Sequence, residues 1–297
     1  MWPSVWRGAM RERTTSERNA CGVSLAWSNM GIIMNIIVIH GKDVEIERME
    51  ERDGWAISEF RLPITGATGS STTVFRSTFR PGSTHAKHLH HRSDEIAIYL
   101  AGNGVVGQGE SRAEVSAGHC RLMPKGSIHF FYNETEDLDA SVIGFYVNAT
   151  NVADTGYKFC GMVTPEDLTQ ERDGLNEGIL IHLQDAIKVE NGLPDSWKQL
   201  EVRAPIGIHN GSPNSLLHIT MPPDSATGEI RFNSTEAIYY VDSGEGNISE
   251  IAHSKNIVHD SFAFVPASIV HNLKNTGNRN LKIYLFLTGA GSLKEAI

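Results

Sequence analysis

Two stretches decide the fold: residues 82–102, GSTHAKHLHHRSDEIAIYLAG, and residues 118–133, GHCRLMPKGSIHFFYN. His88 and His90 lie two apart, so on a β-strand their side chains leave the same face and can hold one ion side by side. A helix would turn them about 200° apart. Glu95 opens the apolar run Glu95-Ile96-Ala97-Ile98-Tyr99-Leu100 and closes the site from a neighbouring strand. His129 comes far later in the chain, which demands a fold that gathers distant strands. Gly102 sits where a hairpin must turn, and Pro124 with Gly126 breaks the chain just before the strand that carries His129. An antiparallel barrel meets all of these demands. Six of the thirteen histidines lie between His85 and His129, a clustering that favours a ligand site over scattered surface use. Three unpaired histidines and a carboxylate meeting in a core without a metal would be costly.

Gly82, His88, His90, Glu95 and Gly102 spell G-x5-H-x-H-x4-E-x6-G, and Gly118, Pro124, Gly126, His129 and Asn133 spell G-x5-P-x-G-x2-H-x3-N. Both match the sequence motifs of the cupin superfamily without a gap, so the segment resembles a cupin β-barrel. The resemblance implies one divalent metal held by His88, His90, Glu95 and His129. Three imidazoles and a carboxylate suit Fe(II), Mn(II), Ni(II), Zn(II) or Cu(II) and do not choose among them.

Shifting the chain by 141 or 142 positions aligns its two halves. Ile39-His40 falls on Ile181-His182, Asp43 on Asp185, Trp55 on Trp197, Glu59 on Glu201, Arg61 on Arg203 and Pro63-Ile64 on Pro205-Ile206. Pro124 meets Pro266, His129 meets His271, Asn133 meets Asn275, and the Glu95 region meets Glu236-Ala237-Ile238-Tyr239. The chain thus resembles a bicupin, all-β with minor helix: an N-terminal barrel over 34–160 and a C-terminal barrel over 161–297. Runs at 73–79, 95–100, 129–132, 141–147, 236–240 and 281–287 have strand composition. Thr164-Pro165 reads as the start of a short connecting helix. Residues 1–33 fall outside the repeat, as a disordered extension, a segment crossing to a partner subunit, or the product of a start assigned too early, with Met34 the true start.

The repeat separates scaffold from chemistry. Trp55, Glu59 and Arg61 recur as Trp197, Glu201 and Arg203, which marks a packed strand with an ion pair. At the positions of His88 and His90 the second copy reads Glu229 and Arg231, leaving only Glu236 and His271 as donors, and a guanidinium cannot ligate a cation. Asp260 and Ser268 also stand in place of motif glycines. The C-terminal barrel is therefore expected to lack a metal and to serve dimerisation or support; Arg231 could hold an anion in a vestigial pocket.

The chain has 297 residues, enough for two barrels with real cores. Its formal charge of −9 argues against nucleic acid or an anionic membrane as a partner. No stretch of eighteen apolar residues occurs, so a membrane span is not expected. Three cysteines, Cys21, Cys120 and Cys160, are odd in number and not spaced for zinc, which fits free thiols in the cytoplasm. Cys120 reads as a small core residue. A homo-oligomer is expected, since cupins pair barrel edges or terminal strands.

Cupins with this ligand set include quercetin-type and other ring- or C–C-cleaving dioxygenases, oxalate decarboxylases and oxidases, sugar isomerases and ureidoglycine aminohydrolase; fold alone does not settle the reaction. Oxalate-decarboxylating bicupins carry metal in both barrels and an arginine three residues before the first ligand histidine. Here that position is His85, which disfavours oxalate. The aminohydrolase places its metal in the second barrel, which does not match either. Strand parity points Ala97 and Tyr99 inward with Glu95, and Phe131 with His129, and Phe145 is expected to join them. Such a pocket suits a mostly apolar organic substrate that chelates the metal through an enolate, phenolate or carboxylate. His85, Tyr99, Phe131 and Phe145 are the candidate substrate contacts, and Glu95, as in related cupins, is the ligand placed to take a proton. The reading is an Fe(II) dioxygenase, with Mn-, Zn- or Ni-dependent Lewis-acid isomerase, lyase or hydrolase chemistry and a non-catalytic binding or storage role as alternatives.

Overall fold

Apolar residues alternate with polar ones along run after run, and every run ends in a turn, so the chain pairs antiparallel throughout. The computed structural model describes residues 36–47, 57–251 and 253–297, all within one compact unit spanning 34–297. The proposed extension 1–33, the start at Met34, Cys21 and Trp55 lie outside the described residues.

The N-terminal barrel closes a six-stranded sheet onto a five-stranded one. The larger sheet runs Ile179–His182, His119–Met123, Glu95–Ala101, Ala140–Tyr146, Thr73–Phe79 and Glu59–Ile64; the smaller runs Tyr157–Gly161, Thr84–His90, His129–Asn133, Asn103–Gln108 and Ser111–Ser116. In the C-terminal barrel a seven-stranded sheet, with Ala237–Ser243 and Leu281–Leu287 near its middle, packs on the three strands His253–Val258, Glu245–Glu250 and Asn272–Asn275. The fold is two tandem cupin barrels. A short helix, Pro165–Thr169, joins them, with Thr164 as N-cap and Asp167 completing a capping box.

Each barrel borrows one strand from the other half of the chain. Ile37–His40 pairs with Ser261–Val265, and Ile179–His182 pairs with His119–Met123. A boundary at 160 and 161 therefore divides the sequence but not the sheets. An open sheet edge offers unpaired N–H and C=O groups, and each borrowed strand covers one such edge.

Three apolar cores result: one inside each barrel, and one where the two large sheets meet. Phe145 belongs to this third core, its ring stacked on Phe286 with centroids 4.6 Å apart. The expectation that it lines the pocket is corrected, because on strand Ala140–Tyr146 the neighbouring residue Tyr146 is the one opposite Glu95. Cys120 lies fully buried in the same inter-barrel core, and burial pushes its thiol pKa up, which suits packing and not nucleophilic attack. The repeated ion pairs sit on equivalent strands, Arg61 to Glu59 at 3.0 Å and Arg203 to Glu201 at 2.9 Å.

The strand registers also fix the internal repeat, and the offset at the site is 142. Glu95 pairs with Met123, and Ala237 pairs with Val265; His88 pairs with His129, and Ile230 bridges His271. The counterparts of His88, His90 and Glu95 are thus Ile230, Phe232 and Ala237, not Glu229, Arg231 and Glu236. A slip of one residue moves a side chain to the opposite face of a strand. Glu236 accordingly points away from the barrel interior and bonds Ser70 Oγ at 2.9 Å and the Ser71 backbone N–H at 3.0 Å. Asp260 and Ser268 replace Gly118 and Gly126 yet keep the left-handed turn, with φ of 65° and 66°.

At the four positions that match the ligand set, the C-terminal barrel keeps one histidine. His271 donates from Nδ1 to the Ile269 carbonyl at 3.0 Å, so its Nε2 carries a lone pair, and Tyr239 donates its hydroxyl to that lone pair at 2.8 Å. Tyr239 is the counterpart of Ala97 and fills the space that the N-terminal barrel keeps open. Tyr239→Phe leaves a buried lone pair unsatisfied and should cost about 1–3 kcal/mol in urea unfolding, with the metal content of the chain unchanged.

Candidate metal centre

Strand Thr84–His90 delivers His88 and His90 from one face, strand His129–Asn133 beside it delivers His129, and Glu95 arrives from the opposing sheet as the first residue of Glu95–Ala101. All four are buried, and their donor atoms lie within 4.8 Å of one another. The structure thus brings together the four residues that the spacing singled out.

The outer hydrogen bonds fix the state of each ring. His88 donates from Nδ1 to the Ala86 carbonyl at 2.8 Å, and His129 from Nδ1 to the Ser127 carbonyl at 2.9 Å. The Thr155 hydroxyl donates to the Val152 carbonyl at 2.8 Å, so its oxygen accepts from His90 Nδ1 at 2.9 Å. Each neutral ring has one N–H, and all three spend it outward, which leaves three Nε2 lone pairs facing inward. His88 Nε2 is buried with no partner. Glu95 Oε2 stands 3.0 Å from His90 Nε2 and 3.3 Å from His129 Nε2, so acceptor meets acceptor. Only a cation, a proton or a metal, reconciles these contacts, and the buried set of three imidazoles and one carboxylate is fit to hold a divalent metal.

The titration behaviour follows from burial and mutual charge. Burial lowers the His88 pKa well below 6.5, with further depression from His85, His129 and His90. Burial likewise lowers His129, against the opposing pull of Glu95, and takes His85 down to about 3. For Glu95 burial works upward, but the contacts with His129 and His90 outweigh it and hold the carboxyl well below the usual carboxylate range. Burial thus disfavours the charged form of His85, His88 and His129 and leaves Glu95 an anion.

A cavity of about 30 Å³ opens beside the cluster. His85, Tyr99 and Phe131 line it, together with Phe60, Phe75, Phe79 and Tyr146. Three further residues border the site without having been singled out by the sequence. Tyr157 stacks on His88 at 5.3 Å from the edge strand Tyr157–Gly161. The Tyr146 ring lies 4.9 Å from that of His90, and burial raises its hydroxyl pKa well above 10. Arg121, completely buried, projects from strand His119–Met123 opposite Ala97. No motif marks Tyr157. Arg121 was legible through strand parity with Met123 and through its replacement by Ala263 at an offset of 142.

The family model for cupins matches residues 59–171. Oxalate oxidase GF-2.8 of Triticum aestivum is 32% identical over 104 residues, covering 31% of this chain and 46% of that protein; oxalate oxidase 2 of Hordeum vulgare is similar to the same extent. The chain spans about half the length of the curated relatives it matches. The crystal structure of Lactobacillus farciminis oxalate decarboxylase in its formate complex superposes with a TM-score of 0.67 at 14% identity, covering 88% of both chains. A variant of the Bacillus subtilis oxalate decarboxylase gives 0.68 at 14%, covering 88% of this chain and 79% of that one. The shared architecture is a two-barrel β fold. Residues 59–171 thus resemble a cupin domain.

His88→Ala should reduce bound metal from about one per chain to a trace, whereas Glu229→Ala should leave it unchanged; elemental analysis of both variants decides, and equal loss would refute a single site. Stability should also depend on pH. His85, His88 and His129 have folded pKa values below 6.5, so between 6.5 and those values the unfolded chain binds more protons. Stability of the metal-free protein is then complete above 6.5 and falls as pH drops, by about 1.4 kcal/mol per pH unit for each such histidine. His271, lowered to about 4, adds to the loss down to that pH. Urea midpoints measured from pH 7.5 to 5 should decline; a rise would mean that these rings are protonated in the fold.

Proposed function

We propose that the N-terminal barrel is a mononuclear metal centre with His88, His90, Glu95 and His129 as ligands. The protein is then a metal-dependent enzyme, an Fe(II) dioxygenase acting on a small organic substrate. The observation that carries this reading is the gathering of three imidazoles and one carboxylate within 4.8 Å, with the Nε2 lone pairs of His90 and His129 against Glu95 Oε2 and that of His88 left without a partner, a set that no proton-sharing scheme among neutral rings satisfies. Retention of these donors in one barrel, against Ile230, Phe232 and Ala237 in the other, supports a role beyond scaffolding.

A bound divalent metal supplies Lewis acidity, and iron adds the capacity to activate dioxygen. The chain supplies the rest. Phe79, Phe131 and Tyr146 give the cavity apolar walls that exclude water and favour a substrate with an apolar body. The Tyr146 hydroxyl keeps its proton and is a donor for a substrate oxygen. Glu95 is ionised, and on this reading it is the catalytic carboxylate, taking a substrate proton as it leaves the histidines that hold its pKa down.

A second reading takes its support from the curated relatives, which are oxalate oxidases. On that reading the substrate is oxalate. His85 in place of the arginine of the decarboxylating bicupins and the aromatic walls weigh against it. The redox-silent alternative keeps the ligands and replaces iron by manganese, zinc or nickel.

Elemental analysis of untagged protein, purified anaerobically without added metal, should find about one iron per chain. Oxygen uptake should then follow addition of phenolic or diketone substrates and not of oxalate. Uptake with oxalate alone would establish the second reading. Manganese, zinc or nickel near one per chain would move the assignment to Lewis-acid chemistry, and a chain without metal would be a binding protein.

A further inference from the structure

We propose that Arg121 anchors the substrate by a carboxylate, and that the substrate is a small monocarboxylic acid with an apolar body. This rests on the reading of the N-terminal barrel as a substrate-binding metal site. Arg121 is 0% exposed and shares the cavity wall with Glu95 and His129. Its Nη1 donates to the Phe130 carbonyl at 3.2 Å, and its Nη2 to the Gly107 carbonyl at 2.7 Å and to Gln108 Oε1 at 3.0 Å. The Tyr99 hydroxyl is within hydrogen-bonding reach as well. Every one of these partners is neutral, and Arg121 Nε is buried with no acceptor. Among the described residues no carboxylate forms an ion pair with this guanidinium; Glu95 shares its oxygen with His90 and His129.

A guanidinium taken fully out of water is costly unless an anion meets it. Packing does not explain the cost. The strand pair that holds Ala97 opposite Arg121 recurs in the C-terminal barrel as Tyr239 opposite Ala263. The two barrels exchange large and small residues across the same rung, so a barrel of this shape fills without an arginine. The unused Nε–H is left to donate a charge-assisted hydrogen bond to a carboxylate oxygen. The charge count agrees: Arg121 offsets Glu95, so a divalent ion at the site leaves a positive excess that an anionic substrate neutralises. The ring walls of Phe79, Phe131 and Tyr146 offer no second cation, which separates a monocarboxylate with an apolar remainder from a dicarboxylate.

The test is calorimetric binding of 2-oxobutanoate, its methyl ester and oxalate to the full chain loaded with redox-silent zinc. Zinc content and thermal unfolding are read on the same samples. The acid should bind at least about tenfold more tightly than the ester. Arg121→Met should erase that preference, with ester affinity, zinc content and melting temperature close to wild type, and Arg121→Lys should recover part of it. Equal binding of acid and ester, no binding of the acid, or a folded, zinc-loaded Arg121→Met that keeps the preference would overturn the proposal. Tighter binding of oxalate than of the oxo acid would overturn the monocarboxylate assignment. If Arg121→Met does not fold, the wild-type acid-to-ester ratio and Arg121→Lys decide. A chain that takes up no zinc fails the metal-centre reading instead, and the acid-to-ester ratio of the metal-free chain then judges Arg121 by itself.

Discussion

The structure turns on a conflict between lone pairs. Three imidazoles spend their only N–H on Ala86, Thr155 and Ser127, and so must aim unprotonated nitrogens at a carboxylate. Such an arrangement repels itself in a buried, weakly screening site. It persists because the two sheets hold the donors rigidly: His88 and His129 face one another across paired strands, and Glu95 is fixed from the opposite wall. The hydrogen bonds behind the rings are thus as much a part of the cation site as the nitrogens in front.

The C-terminal barrel resolves the same conflict by removing it. Ile230 and Phe232 take the places of two histidines, Ala237 that of the carboxylate, and the remaining lone pair on His271 receives the Tyr239 hydroxyl. A hydroxyl proton sits where the other barrel has room for a cation. The chain thereby carries its own comparison, one scaffold with an apolar interior and one with a polar cluster. The two large sheets pack their outer faces into a common core, with Phe145 against Phe286, and each exchanges an edge strand with the other half of the chain. That exchange makes the barrels one unit and gives the degenerate barrel a structural purpose.

Much of the site was legible before any coordinates. The two-residue spacing of His88 and His90 can serve one ion only on a strand, and the punctuation by Gly102, Pro124 and Gly126 dictates hairpins. Those features come from local backbone geometry, which sequence reports directly. Reading the repeat at 141 instead of 142 misassigned Glu229, Arg231 and Glu236, because a strand's faces alternate at every residue and one step reverses the chemistry. Phe145 went to the wrong core for the same reason: its neighbour Tyr146 is the residue in register with Glu95.

The amino-acid sequence by itself determined the class of fold, the duplication, the four donors and the loss of donors in the second half, since each follows from spacing and residue type. Tertiary structure alone decided which ring nitrogens face the centre, that Tyr146 and Tyr157 border it, and that Ile37–His40 and Ile179–His182 cross between barrels. These depend on contacts between residues far apart in the chain. Their partners are chosen by sheet register and by the satisfaction of buried polar groups, quantities that no local pattern encodes.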